Sequence, residues 1–269
     1  MTALAFRRRY PDANLLLCNE NHRFGGSPIL PATKRALSDD LHELIDPLIV
    51  REWHTFYVAT ADGPKRVTGG VAMITPEQIH AEIVDRIPLE AIEVGCRILS
   101  CDNSSVVLAG AGRIDCDAVY DLRQSTGAQM VPQRRLKLVV RDYQLDESHG
   151  LHFPVLLDAT LTAPPFYSRF LQYLPLGERI LRVISASPVG EVSVTQQSRG
   201  FRGKGLISEQ VFELAVQKEM YRDVAEGRGY PILPPYLGSQ LIAAAAIAQS
   251  IVIEYDRHAG SPWKSRLRF

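Results

Sequence analysis

Apolar residues recur along this chain with two different periods, and the shifts between them mark out its elements. Leu37, Leu41, Leu44, Ile45 and Leu48 keep helical spacing after Ser38, Asp39 and Asp40, while Pro47 demands a stop or kink, so a helix is expected over about 34–46. Residues 48–60 are rich in β-branched and aromatic side chains, Asp62-Gly63-Pro64 supplies turn chemistry, and 66–74 resume an extended pattern, which predicts a hairpin. Thr75-Pro76-Glu77-Gln78 then offers a capping threonine, a proline at the first helical position and a glutamine placed to close a capping box. Ile79, Ile83 and Ile87 share one face of the short helix that follows, and Pro88 ends it. The first thirty residues show only a short apolar run at Leu15 to Leu17 and read as a loop-rich entry.

Past Pro88 the pattern is mostly extended. Residues 90–99 and 106–122 predict two strands joined by a turn at Asp102-Asn103-Ser104. In the far half of the second, Ile114, Cys116, Ala118, Tyr120 and Leu122 alternate with Arg113, Asp115, Asp117, Asp121 and Arg123, the mark of a sheet with one wet face. Gly110 and Gly112 read as a bulge. Residues 134–143 and 151–161 predict a second hairpin across 146–150, residues 166–174 one or two helical turns, and 179–186 and 189–197 further strands. Val211, Phe212, Ala215, Val216, Met220, Val224 and Ala225 form a helical stripe between about Ser208 and Gly227. Leu237 to Glu254 reads as a nearly all-apolar helix, with a β alternative at Ile251 to Ile253. The expected fold class is α+β: a mostly antiparallel sheet with a few short helices and two longer C-terminal helices, in a single domain over 1–269 with a sub-boundary near Pro164. Regular βαβ alternation is missing, which argues against a doubly wound nucleotide-binding fold.

Charge narrows the function classes. Thirty basic residues balance thirty acidic ones over 269 positions, so no overall field attracts polyanions and any such contact has to come from a local patch. Arg7, Arg8 and Arg9 precede no adequate hydrophobic stretch, which excludes a secretory signal. The most apolar run, Leu241 to Ala248, is far too short to span a bilayer. Cys18, Cys96, Cys101 and Cys116 form no C-x-x-C pair and read as reduced thiols of a cytoplasmic protein without membrane contacts.

The strongest local chemistry is the loop Ser198-Arg199-Gly200-Phe201-Arg202-Gly203-Lys204-Gly205. Its glycines let backbone N–H groups approach an anion, its cations add charge, and a helix starting near Ser208 would add its dipole. Arg199, Gly200, Arg202, Gly203 and Lys204 are thus an anion-binding set, with Phe201 as a stacking residue. The loop is no P-loop, because Ser198 stands where the first glycine is required and Gly205 where the magnesium-binding hydroxyl is. Nor is it an RNA-recognition strand, because Arg202 replaces a small residue. The competing reading is a solvated connection whose arginines make rim salt bridges.

Other clusters assign no catalytic residue, metal ligand or cofactor. Asp146, Glu147, His149 and His152 sit at a turn without a third metal ligand; His80 and Glu82 point to different faces of their helix; Cys18 and His22 lack a placed third group. Basic residues mix with aromatics at Phe6 to Tyr10 and Trp263 to Phe269, and Arg134, Arg135, Lys137 and Arg141 form a further basic cluster, as in single-strand binders. The expected function is therefore a nucleic-acid or polyanion-binding subunit of a larger assembly, with protein partners or a second copy of itself. The alternatives are a cytoplasmic enzyme acting on a phosphorylated or carboxylate small molecule, and a structural or scaffolding subunit.

Overall fold

A broad sheet of eight strands dominates the molecule, with a helical end and two smaller sheets beside it. The computed structural model describes residues 1–26, 31–33, 39–60, 63–121, 133–158, 170–190 and 204–217, together with 248, 251, 252 and 255.

The helical end begins with an element the periodicity does not reveal. Helix α1 (Thr2–Arg9) buries Leu4 and Phe6 and carries Arg7, Arg8 and Arg9 in its last turn, where cations favour the helix dipole. Strand β1 (Leu17–Asn19) follows, then β2 (Ala32–Thr33) and α2 (Asp39–Ile45), which tightens into a 3-10 turn at Asp46–Leu48. Helix α3 (Pro76–Arg86) starts as its sequence demands: Thr75 Oγ accepts from the Gln78 N–H at 3.2 Å. The Gln78 side chain does not complete the box; its Nε2 donates to Pro47 O at 3.2 Å and ties α3 to the end of α2. Ile79, Ile83 and Ile87 pack with Leu4, Phe24, Leu44, Ile45, Leu48 and Ile74 in one core.

Strands β3 (Ile49–Thr60) and β4 (Gly63–Ile74) form the first hairpin as expected. After α3 come β5 (Ile92–Val94), parallel to β1, and a three-stranded meander of β6 (Ile98–Cys101), β7 (Ser105–Leu108) and β8 (Gly112–Asp115). The single arm expected over 106–122 is thus broken in two. Gly110 and Gly112 mark a tight turn and not a bulge, with φ of +86° and +79° that favour glycine at both positions.

The broad sheet is completed by β9 (Gln133–Leu145), β10 (Val155–Asp158), β11 (Phe170–Pro175), β12 (Ile180–Pro188) and β13 (Lys204–Gln217), in the order β13-β9-β12-β11-β10-β3-β4-β2. Every pairing is antiparallel except β10 with β3, so the sheet is mixed. Several expectations fail together here. The hairpin of 134–143 with 151–161 does not form, because β12 and β11 stand between β9 and β10. Strand β9 buries Leu136 and Leu138 on one face and Val139, Tyr143 and Leu145 on the other, and such a strand belongs inside a sheet, paired on both edges. Its second edge is taken by β13, in a ladder from Lys204 opposite Leu145 to Gln217 opposite Gln133. That ladder overrides the helical spacing of Val211, Phe212, Ala215 and Val216, and the expected helix from Ser208 is a strand. Residues 218–227 and most of 237–254 lie outside the described residues; Ala248, Ile251, Val252 and Tyr255 are helical. The helical turns expected over 166–174 are likewise replaced by β11 from Phe170 on. The described residues form a large mixed sheet, parallel only where β10 meets β3, with three short helices; of the two longer C-terminal helices expected, the first is strand β13 as far as Gln217 and the second lies almost wholly outside the described residues.

Side-chain alternation divides the broad sheet into two apolar faces. One carries Leu136, Leu138, Phe170, Leu174, Ile184 and Ala186 with Trp53, Phe56, Val71 and Met73. The other carries Tyr143, Leu145, Val155, Leu171, Tyr173, Leu181 and Val183. Between Val155 and Asp158 the register of β10 shifts by one residue against both neighbours. The bulge puts Leu156 and Leu157 in the first core and returns Asp158 to the second face, opposite Leu171.

Candidate functional site

Two places combine polar chemistry with a built setting, and the first is the second face of the broad sheet. Ser185 pairs with Leu171, which in turn pairs with Asp158, and Ser187 pairs with Lys137. Ser185, Ser187 and Asp158 therefore project from one face, at 3%, 1% and 4% exposure, among leucine, valine and tyrosine. The hydroxyls of Ser185 and Ser187 have no hydrogen-bond partner among the described residues. On the opposite face the fully buried Gln172 donates from Nε2 to Leu156 O at 2.8 Å, while its Oε1 also lacks a partner. Leaving such a group unpaired in an apolar interior costs about 1–3 kcal/mol each, so these positions demand an explanation. The end of the first face is closed differently: Arg182 grips Asp142 through two hydrogen bonds of 2.7 and 2.9 Å, and Ser208 Oγ donates to the same carboxylate at 3.2 Å.

The second place is the carboxyl end of the parallel pair β1 and β5. Parallel strands present their carboxyl ends to ligands in α/β sheets, and in dinucleotide-binding folds an acid about twenty residues past a glycine-rich turn takes ribose hydroxyls. Glu20, exposed, directly follows β1; its Oε1 accepts from Ile98 N at 3.2 Å. The loop behind it is firmly fastened. Asn19 Nδ2 donates to Arg23 O at 2.9 Å, Gly95 N donates to Asn21 O at 3.2 Å, and Phe24 N donates to His80 Nδ1 at 3.3 Å with the two rings stacked 5.9 Å apart. Gly95, at φ +68°, lies so close to His22 that a Cβ would stand 2.5 Å from Nδ1. The thiol of Cys18 is pushed up to about 11, chiefly by burial and then by the neighbouring Cys96 thiol, so it is no nucleophile at neutral pH.

Of the residues singled out in the sequence, Arg199, Gly200, Phe201, Arg202 and Gly203 lie outside the described residues, and Lys204 opens β13 opposite Leu145. His149 is structural: Leu151 N donates to its Nδ1 at 3.0 Å, and its Nε2 lies 2.6 Å from Gly177 O, joining two sheet-end turns. Both contacts suit the neutral ring with its proton on Nε2. His152, Asp146 and Glu147 are not gathered with it, and among the described residues no three metal-ligating side chains converge. Several basic residues of the nucleic-acid reading are occupied internally. Arg7 donates to Pro11 O and Ala13 O, Arg8 pairs with Glu43, and Arg141 with Glu209. Phe6 and Tyr10 pack against Tyr255 at 5.1 Å instead of facing solvent bases. The side chains of Arg134 and Arg135 and all of Trp263 to Phe269 lie outside the described residues. Sequence reasoning missed Glu20, Ser185 and Ser187; the run Leu15 to Leu17 ahead of an acid was the available signal for the first.

No protein-family model matches the chain. It is 29% identical over 183 residues to a lycopene beta-cyclase of Pseudescherichia vulneris, covering 68% of this chain and 47% of that protein. A lycopene beta-cyclase of Pantoea ananas is 25% identical over 176 residues, 65% of this chain and 46% of that one. The chain thus spans about half the length of these relatives. Among solved structures, a flavin-dependent monooxygenase, PieE, in complex with FAD and substrate superposes with a TM-score of 0.51 at 13% identity, over 80% of this chain and 47% of that one. Among the described residues no helix is long and apolar enough to cross a membrane. The likeness to two cyclases overturns the nucleic-acid or polyanion-binding subunit and its nucleic-acid partner.

Proposed function

We propose that this chain works as part of a flavin-dependent enzyme on a large, mainly apolar small molecule of the isoprenoid type. The observation that carries the reading is the likeness to two lycopene beta-cyclases over about two thirds of the chain. The architecture supports it: a parallel strand pair with an acid at its carboxyl end adjoins a broad sheet with two apolar faces. The flavin's setting is met in part. On this reading Glu20, which follows β1, takes ribose hydroxyls, and its loop is fastened through Asn19, Gly95 and Phe24. The chain contains no G-x-G-x-x-G turn for a pyrophosphate, and Gly25 and Gly95 are closed against Pro76 and His22, so neither is an open cradle. A bound flavin supplies a ring that takes up or gives back two electrons. The protein's own share is to hold the nucleotide at Glu20 and to keep an apolar substrate away from water against the sheet.

Two titrations of the full chain test this: FAD followed by flavin fluorescence, and retinol, an isoprenoid alcohol, followed by its own emission. Saturable binding of both is expected, with the FAD affinity of Glu20→Ala reduced about tenfold by loss of a charge-assisted contact. Failure to bind FAD removes the flavin from the proposal. Failure to bind retinol removes the substrate class.

A further inference from the structure

Resting on that substrate class, we infer that Ser185 and Ser187 form a hydrogen-bonding subsite for an oxygen-bearing end, hydroxyl or carbonyl, of an otherwise apolar ligand. Both hydroxyls belong to β12, two residues apart, and so leave the sheet on the same side. They are 3% and 1% exposed and neither has a partner among the described residues. Water does not reach them, and the described protein does not satisfy them. A dry serine on an apolar sheet is ordinarily tied to a carbonyl, and two adjacent exceptions on one face are an unpaired donor-acceptor set in search of a third group. Each hydroxyl both donates and accepts, so a ligand alcohol or ketone fits equally.

The surroundings agree with a ligand that is apolar apart from this end. Ser185 faces Leu171 across one ladder and Val139 across the other, both nearly fully buried. Ser187 faces Lys137, which is exposed, so the solvent edge of this face lies at β9 beside Ser187 while both hydroxyls stay buried. Asp158, across Leu171, adds a third polar side chain to the same face because the β10 bulge turns it there. On the opposite face Gln172 is anchored through Nε2 to Leu156 O, which leaves its Oε1 as a single unpaired acceptor and not a pair of hydroxyls.

The test compares retinol with its hydrocarbon analogue lacking the hydroxyl, each titrated into the full chain and into Ser185→Ala/Ser187→Ala. The wild type is expected to favour retinol about tenfold, the effect of one to two hydrogen bonds. In the double variant that preference falls to near unity while hydrocarbon affinity stays the same. Its thermal midpoint is unchanged or higher, because removing unpaired hydroxyls leaves nothing unsatisfied. Ser187→Ala alone, the milder change, should lose part of the preference. Equal binding of the two probes by the wild type, as a trapped water on the serines would give, overturns the inference and leaves the apolar-substrate reading standing. So does a preference that survives in the double variant. If neither probe binds, the apolar-substrate reading fails and this inference with it.

Discussion

Gly25 and Gly26 lie side by side in the loop that follows β1, yet alanine should affect them very differently. Gly25 has φ +98°, and a Cβ there would stand 2.6 Å from Pro76 Cα and 2.8 Å from its carbonyl carbon. Those atoms belong to the first residue of α3 and cannot swing away as a side chain can. Gly26 has φ +61° with nothing within 4 Å of the same position. Left-handed backbone costs an alanine about 1–2 kcal/mol at either site. At Gly25 the overlap with backbone adds about 1–3 kcal/mol, the usual range for overpacking. Gly26→Ala should therefore destabilise by about 1–2 kcal/mol and Gly25→Ala by about 2–5 kcal/mol, a difference worth roughly 2–12 °C in midpoint for a chain of this size. Thermal unfolding followed by circular dichroism reads the difference. Because Phe24 N–H meets His80 next to the clash, the His80 resonances should move in Gly25→Ala and stay in place in Gly26→Ala. Equal midpoints for the two variants would refute the close approach of this loop to α3 and, with it, the rigid mounting of Glu20.

Three further outcomes follow from particular contacts. Asp142→Ala leaves Arg182, 23% exposed, without its two-pronged partner; between the 3–5 kcal/mol of a fully buried break and the 0–1 kcal/mol of a surface pair, about 1.5–3 kcal/mol is expected by urea unfolding, with partial recovery in Asp142→Ala/Arg182→Met. Cys18, its thiol near 11, should be about one part in a thousand thiolate at pH 8; its iodoacetamide labelling rate, read by peptide mass spectrometry, should rise about tenfold per pH unit up to pH 10, and a plateau below pH 9 would contradict this. Asp102 is held down to about 2 by the Ser104 N–H at 2.8 Å, followed by the Ser105 hydroxyl at 2.9 Å. A lowered folded value means that its stabilisation of the β6–β7 turn is complete above the ordinary carboxylate range near 4 and is lost as pH falls through about 2, so a carboxylate NMR titration with a midpoint near 4 would be the wrong result.

The elements legible in the chain were those whose signals are local. Thr75, Pro76 and the Ile79, Ile83, Ile87 stripe define α3 because cap, proline and periodic face lie within one short stretch, and Asp62-Gly63-Pro64 turns the chain between β3 and β4 for the same reason. The failures were decided by contacts between distant segments. Val211, Phe212, Ala215 and Val216 fit a helix as well as a strand, and only the unpaired edge of β9, more than sixty residues earlier, makes them β13. Glu20 gains its meaning when β5 arrives parallel to β1, and Ser185, Ser187 and Asp158 share a face only through ladder register and the β10 bulge. Local pattern reports backbone preference within a few residues, whereas strand order, register and burial are set by which remote partners satisfy each hydrogen-bonding edge, and the candidate sites are made from those.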